Sequence, residues 1–421
     1  MAVFQIGEIH CQRTSEGGWH VAIPVSIPGK SRVVDFRFPS AAGEPVLGDA
    51  LACLFLMPAM MHGLPLRGLP PISPRLAANL PVIQEIVRRW FPAFRSIPVE
   101  VDTAPAAAPA PGTLSFFSAG LDSWHTITRN RDRLSAVAYV HGFDVPGTSG
   151  TMHAAIGRRL RSAAPLHGVP FLEIETNYRE HGEDFLGEYM ITHGAALAAI
   201  GHFMSRSCGC LLTPSSSSYA SQTPWGSSAL LDPLWSGDAL EVVYEGAEFT
   251  RPEKAPVIAA HPEILPQLIV CWTGYTEGKN CGRCEKCLRT MMGLALAGIE
   301  DLSPSFAEPL TVGAITSLRF KHSYYVEYWH TLLVEARRVA PDSPWVPALR
   351  RVLAENQLHF AFKALKSTRG SPLPPAVAAA FQPVRDKLWA KLEEQSSGWL
   401  AKRLARRAKA SPQTMREVLW G

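Results

Sequence analysis

Two short stretches of this 421-residue chain carry reactive residue types at close spacing. The first is Ser115-Phe-Phe-Ser-Ala-Gly-Leu-Asp-Ser123. An apolar run leads straight into small and hydroxyl-bearing residues. Small residues let main-chain N–H groups close on phosphate oxygens. A helix beginning near Asp122 adds oriented N–H donors at its N-terminus. Ser118 and Ser123 add hydroxyl donors. Asp122 repels a bare phosphate, so its carboxylate implies either Mg²⁺ or a role in orienting the loop. The plain alternative is a turn and helix cap after a strand. The pattern is neither a Walker loop nor Gly-x-Gly-x-x-Gly.

The second stretch holds four of the eight cysteines. Cys271-Trp272 precedes Asn280-Cys281-Gly-Arg-Cys284-Glu-Lys-Cys287-Leu-Arg289. Thiolates spaced Cys-x-x-Cys-x-x-Cys can bend round one ion, and Gly282 eases the tight turn. Zinc suits a Cys₄ site without redox demands. An iron–sulfur cluster, a redox role and unligated thiols are the alternatives. A filled Cys₄ site has no open position, so its expected role is structural. Arg283, Lys286 and Arg289 can offset the thiolate charge.

These stretches need elements to hold them. Leu114–Phe117, Ala136–Val140, Val169–Ile174 and Cys208–Thr213 read as strands. A helix from Asp122, then Met152–Ala163 and Gly182–Met204, alternate with them. That rhythm predicts an α/β layer with a mainly parallel sheet over 112–300. Residues 1–111 read as an α+β module and linker. Strands Trp19–Ile27 and Val33–Phe38, helix Leu76–Trp90 and a short strand Ile97–Val101 precede a Pro/Ala-rich run ending at Gly112. Residues 301–421 read as a helical extension, with helices at Tyr325–Val339, Trp345–Leu358 and Val377–Leu392, the last kinked or divided at Pro383.

Composition narrows the class. Apolar residues make up 47% and charged residues 19%, which excludes wholesale disorder. A net charge of +4 argues against a general nucleic-acid binder. The strongest apolar stretch, Ala50–Met61, carries Pro58 and is too short for a membrane span. No secretory leader is read at the N-terminus, so a cytoplasmic location is expected. Clustered thiols there favour metal over disulfides.

The loop Ser118-Ala-Gly-Leu-Asp-Ser123 resembles the Ser-Gly-Gly-x-Asp-Ser loop of the PP-loop ATP pyrophosphatase superfamily. Ala119 replaces the first family glycine, which a negative φ would accommodate. The thiol stretch looks like the zinc segment, here 271–289, of the 7-cyano-7-deazaguanine synthase family within that superfamily. The resemblance covers about 112–300. It implies a Rossmann-like fold and conversion of ATP to AMP and pyrophosphate with adenylation of an acceptor oxygen. ATP, Mg²⁺ and Zn²⁺ are the implied cofactors, with Ser118, Ala119, Gly120, Leu121, Asp122 and Ser123 as the phosphate loop. It further implies that His141, Phe143 and Asp144 lie near the nucleotide, and that Lys254 meets phosphate. Arg251 is a second cation, whose fork suits a carboxylate. His141 reads equally as a loop support, Asp144 as a turn acid, and Arg251 and Lys254 as solvated charges.

Thr213-Pro-Ser-Ser-Ser-Ser-Tyr219, Trp225 and Trp235 form a loop-rich stretch suited to substrate contact or to simple packing. The expected reaction is nitrogen transfer to an activated carboxylate or amide. Sulfur transfer through Cys208 or Cys210 is the alternative enzyme class. A non-catalytic zinc-stabilised binding protein is a third reading. RNA or membrane binding by the basic run 401–409 is a fourth. The acceptor is a small molecule or a protein terminus. An ammonia or sulfur donor protein and a homo-oligomer are the partners left open.

Overall fold

The computed structural model describes residues 2–105, 107–145, 150–271 and 279–367. The chain divides into two compact units, Met1–Arg350 and Arg351–Gly421. Of the second, only 351–367 are described, and they are helical. The expected helix Val377–Leu392 and the basic run 401–409 lie outside the described residues.

Ten strands build one mixed sheet: β1 (Phe4–Ile6), β2 (His10–Arg13), β3 (Trp19–Ile27), β4 (Lys30–Phe38), β5 (Leu66–Arg67), β6 (Gly112–Phe116), β7 (Ala136–His141), β8 (Phe171–Thr176), β9 (Cys208–Pro214) and β10 (Glu241–Glu245). Their order is β10-β9-β6-β7-β8-β4-β3-β1-β5, with β2 beside β3. β6 to β10 run parallel. Counted from β6, that half reads 3-2-1-4-5, so its strand order reverses between β6 and β9. Ligands of open α/β sheets bind at such a switch point, beyond the strands' carboxyl ends.

The residues expected as a leading module supply the sheet's antiparallel half. β4 pairs β8, with Phe36 opposite Thr176 and Arg37 opposite Glu175. Alternation along β7 explains the two-sided burial. Ala136, Ala138 and Val140 face one apolar cluster, and Val137 and Tyr139 face the other. The first cluster includes helices Gly48–His62 and Tyr189–Phe203. Helix Gly48–His62 is apolar all round because it is a core helix, and it runs through Pro58. No described helix is long and apolar enough to cross a membrane.

Three expected elements differ. Gly182–Met204 is not one helix. Gly187, at φ 86°, separates Glu183–Leu186 from Tyr189–Phe203. Ile97–Val101 is not a strand; Val99 makes only an isolated bridge to Leu66. The Trp345 helix runs on to Ser367.

Candidate functional site

A cleft of about 950 Å³, counted to its open mouth, lies at the carboxyl ends of β6, β7 and β9. Both loops flanking the switch point line it. Ser118, Gly120, Asp122 and Ser123 come from the loop after β6, and Thr213, Pro214 and Ser216 from the end of β9. Gly120 caps helix Leu121–Asn130 without a side-chain hydrogen bond, which leaves the first-turn N–H groups to a ligand. Ser123 Oγ donates to Gly120 O at 3.0 Å, and Ser118 Oγ lies 3.4 Å from Ser123 Oγ.

Ala119 corrects an expectation. Its φ is 53°, in the left-handed region that favours glycine, not the negative φ its side chain would suit. Tertiary structure holds it there. Its methyl is buried, and its carbonyl accepts the Ile269 N–H at 2.8 Å.

The cations come from two short-range sequence signals. Thr250 and Glu253 form a capping box with Pro252 in the first turn, starting helix Arg251–Lys254. Residues three apart share a helix face, so Arg251 and Lys254 turn together toward Asp122. Arg251 Nη1 pairs with Asp122 Oδ2, and Lys254 Nζ is 3.7 Å from Oδ1. Lys254 is 1% exposed and donates to Ser215 O at 2.5 Å and Ser215 Oγ at 2.7 Å. It is therefore no solvated helix-end charge. Burial pushes the Asp122 carboxyl up, but Arg251, Lys254, Arg289 and Lys286 outweigh it and hold it below the usual range. Burial lowers Lys254, and Asp122 opposes that shift.

Lys286 also lines the cleft. It sits on helix Glu285–Leu296, whose cap is Cys284. The segment that carries the four thiols therefore also positions Lys286 at the cleft. Arg289, one turn on, bonds Glu285 at 2.9 Å and stacks on Tyr328 at 4.4 Å. Four cations, Arg251, Lys254, Lys286 and Arg289, act on Asp122, and Asp144, Glu248 and Glu285 are the further carboxylates among them.

Cys271, Cys281, Cys284 and Cys287 bring their sulfurs within 4.8 Å of one another. Three Sγ–Sγ separations are 3.6, 3.8 and 3.8 Å. A tetrahedron with zinc–sulfur bonds of about 2.3 Å has edges of about 3.8 Å, so the four sulfurs fit one zinc ion. Gly282, at φ 70°, allows the knuckle; a Cβ there would lie 2.6 Å from Glu308 O.

Asn280 is the residue that sequence reasoning passed over. It is fully buried. Its Oδ1 accepts from the N–H groups of Val270 and Cys271 at 2.8 and 3.0 Å. Its Nδ2 donates to Leu268 O and Ser305 O at 2.8 and 3.0 Å. The cysteine segment and the loop after β6 are thus one hydrogen-bonded assembly, through Asn280, the 268–271 backbone and Ala119. Its place directly before Cys281 was the only signal in the sequence.

Other expected residues scatter. Phe143 and Asp144 line the cleft. His141 is not among its described lining; Nε2 pairs with Glu173 Oε1 at 2.9 Å, and the ring stacks on His153 at 4.6 Å. It braces β7 against β8 and helix Gly150–His167. Leu121 lies in the buried cluster beneath the loop. Trp235 is a core residue, whereas Trp225 packs between His193 and Tyr324. Cys208 and Cys210 sit toward the amino end of β9, and Cys210 pairs with Glu241. At about 3.3 Å per residue, Cys210 lies roughly 10 Å along the strand from Thr213. Among the described cleft residues there is no cysteine.

No protein-family model, curated protein or solved structure matches this chain. The functional reading therefore rests on the residues assembled here.

Proposed function

We propose that the chain is an adenylating enzyme of the PP-loop ATP pyrophosphatase type. It converts ATP to AMP and pyrophosphate and activates a carboxylate or amide for nitrogen transfer. One observation carries the reading. The glycine-containing loop at the switch point brings Asp122 against Arg251 and Lys254, and Lys286 lines the same cleft, so three distant segments converge there.

The chemistry follows from those residues. A carboxylate carbon is a poor electrophile, and oxide is a poor leaving group. The loop N–H groups, with the Ser118 and Ser123 hydroxyls, hold the β- and γ-phosphates. The acceptor oxygen attacks the α-phosphorus and pyrophosphate departs. Lys254 and Lys286 stabilise the negative charge that grows on the leaving oxygens. Lys254 suits the task because burial and the Ser215 contacts fix it in place before reaction. Asp122 would hold Mg²⁺, whose contribution when bound is to neutralise phosphate charge. An amine then forms the new C–N bond as AMP leaves. Cys271, Cys281, Cys284 and Cys287 would hold zinc, which would fix the segment that sets the loop and Lys286. The cysteine-free described cleft lining favours nitrogen over sulfur as the nucleophile.

The acceptor is a small metabolite or a protein terminus, and ammonia or an amine is its co-substrate. The test is isotopic. The full-length protein is incubated with Mg-ATP, ¹⁵N-ammonium and a small-molecule extract, or with a peptide library. A product heavier by one mass unit per nitrogen than its ¹⁴N counterpart supports the reading. A sulfur-bearing product, or none with either acceptor class, counts against it.

A further inference from the structure

Asp122 and Arg251 hold each other, yet each keeps a buried polar atom without a hydrogen bond: Arg251 Nε, and Asp122 Oδ1, which has only the Lys254 ammonium at 3.7 Å. A buried polar atom left unpaired costs about 1–3 kcal/mol. Two on one ion pair mark an arrangement that a ligand completes. Arg251 also borders open space on two sides. It lines the main cleft and a smaller neighbouring cavity, whose wall includes Ser218, Thr250, Arg289 and Tyr328.

The two cations beside Asp122 differ in their freedom. Lys254 is tied to Ser215 by two hydrogen bonds. Arg251 reaches Asp122 through one guanidinium nitrogen, and that pair is the only hydrogen bond described for its side chain. A divalent cation arriving alone meets Asp122 already paired, with three further positive side chains acting on it. The same positive field attracts a polyphosphate.

We propose that Arg251 serves two anions in turn. It locks the Asp122 carboxylate while the cleft lacks polyphosphate, and it transfers to the polyphosphate once that binds. A divalent cation then reaches Asp122 only together with the polyphosphate. This rests on the nucleotide reading above and deepens it by setting the order of binding. Arg251 acts on the metal through Asp122, so it is a positioning residue. Only ion pairs exchange, and no covalent bond changes.

The test uses Mn²⁺, followed by its electron paramagnetic resonance signal, with full-length zinc-loaded protein. AMPPNP, supplied without an acceptor so that its α–β oxygen bridge stays intact, serves as the polyphosphate. Wild type should bind Mn²⁺ weakly alone and at least tenfold more tightly with AMPPNP. Arg251→Met should bind Mn²⁺ without nucleotide at least tenfold more tightly than wild type. Asp122→Asn in that background should abolish the gain. Arg251→Gln carries the same expectation and stands in if the methionine variant does not fold. Equal Mn²⁺ affinity in wild type and both Arg251 variants, with AMPPNP still binding by calorimetry, overturns the lock and leaves the nucleotide reading standing. Failure of AMPPNP to bind wild type overturns the nucleotide reading, and the proposed exchange with it.

Discussion

At the scale of single residues, Ala119 shows how the site stores strain. An L-residue in the left-handed region costs about 1–2 kcal/mol. Here the Ile269 N–H bond and burial of the methyl hold the loop in that shape. A β-branched side chain at that φ is worse placed. Ala119→Val should therefore lower unfolding free energy by roughly 2 kcal/mol or more. Ala119→Gly should fall within about 1 kcal/mol of wild type, because relief of strain offsets added chain entropy. Urea denaturation checks both, and a valine variant as stable as wild type would remove the strain argument. The sequence shows alanine where the loop it resembles has glycine. It could not show the sign of φ, because a contact 150 residues away sets it. Arg251 and Lys254 were more legible. Their capping box is local, and i,i+3 spacing alone puts both on one face. His141 was misleading for a related reason. It ends a strand beside the cleft, but its orientation depends on Glu173 of β8.

At the scale of elements, the Cys₄ segment joins stability to function. Helix Glu285–Leu296 begins at Cys284 and carries Lys286 and Arg289, so on the proposed zinc reading losing the ion would disturb the cations. Elemental analysis should find one zinc per chain. Serine at Cys281 should reduce zinc content and thermal stability, and should weaken AMPPNP binding by calorimetry. Asn280→Ala should do the same with all four thiols intact, because it frees the Val270 and Cys271 N–H groups. Full nucleotide affinity in zinc-depleted protein would separate the two functions.

The loop beside the cleft gives a pH prediction. Asp232 is 1% exposed, and burial pushes its carboxyl up to about 7, against hydrogen bonds from Ser227 and Ser228. The native state thus keeps a proton that the unfolded chain releases near pH 3.8. That contribution to stability is full below the unfolded value and is lost as pH rises toward 7. Asp232→Asn keeps the shape without the titration. Its melting temperature should gain on wild type steadily from pH 5 to 7.5. Parallel curves would show that Asp232 does not titrate there.

At the scale of the whole molecule, the parallel half was readable and the sheet's completion was not. Alternating strand and helix patterns between 112 and 213 gave four of its five strands, because each is set by local periodicity, whereas β10 (Glu241–Glu245) went unread. The β4–β8 pairing joins residues about 140 apart and has no local signature. Its effect is to extend the cleft's sheet into the antiparallel half. Beyond the sheet, helix Tyr325–Val339 packs Trp329 under the site, with Nε1 donating to Glu285 Oε1 at 2.9 Å. The segment after 300 therefore buttresses a site residue, where its sequence promised only helices.

The central claim is that this cleft splits ATP between the α- and β-phosphates. The direct measurement is the fate of α-labelled ATP in a reaction with an authentic acceptor, resolved by chromatography. The account predicts label in AMP and in an adenylated intermediate, matched by pyrophosphate, and loss of turnover in Asp122→Ala with zinc content unchanged. Label in ADP, with release of orthophosphate, would contradict it.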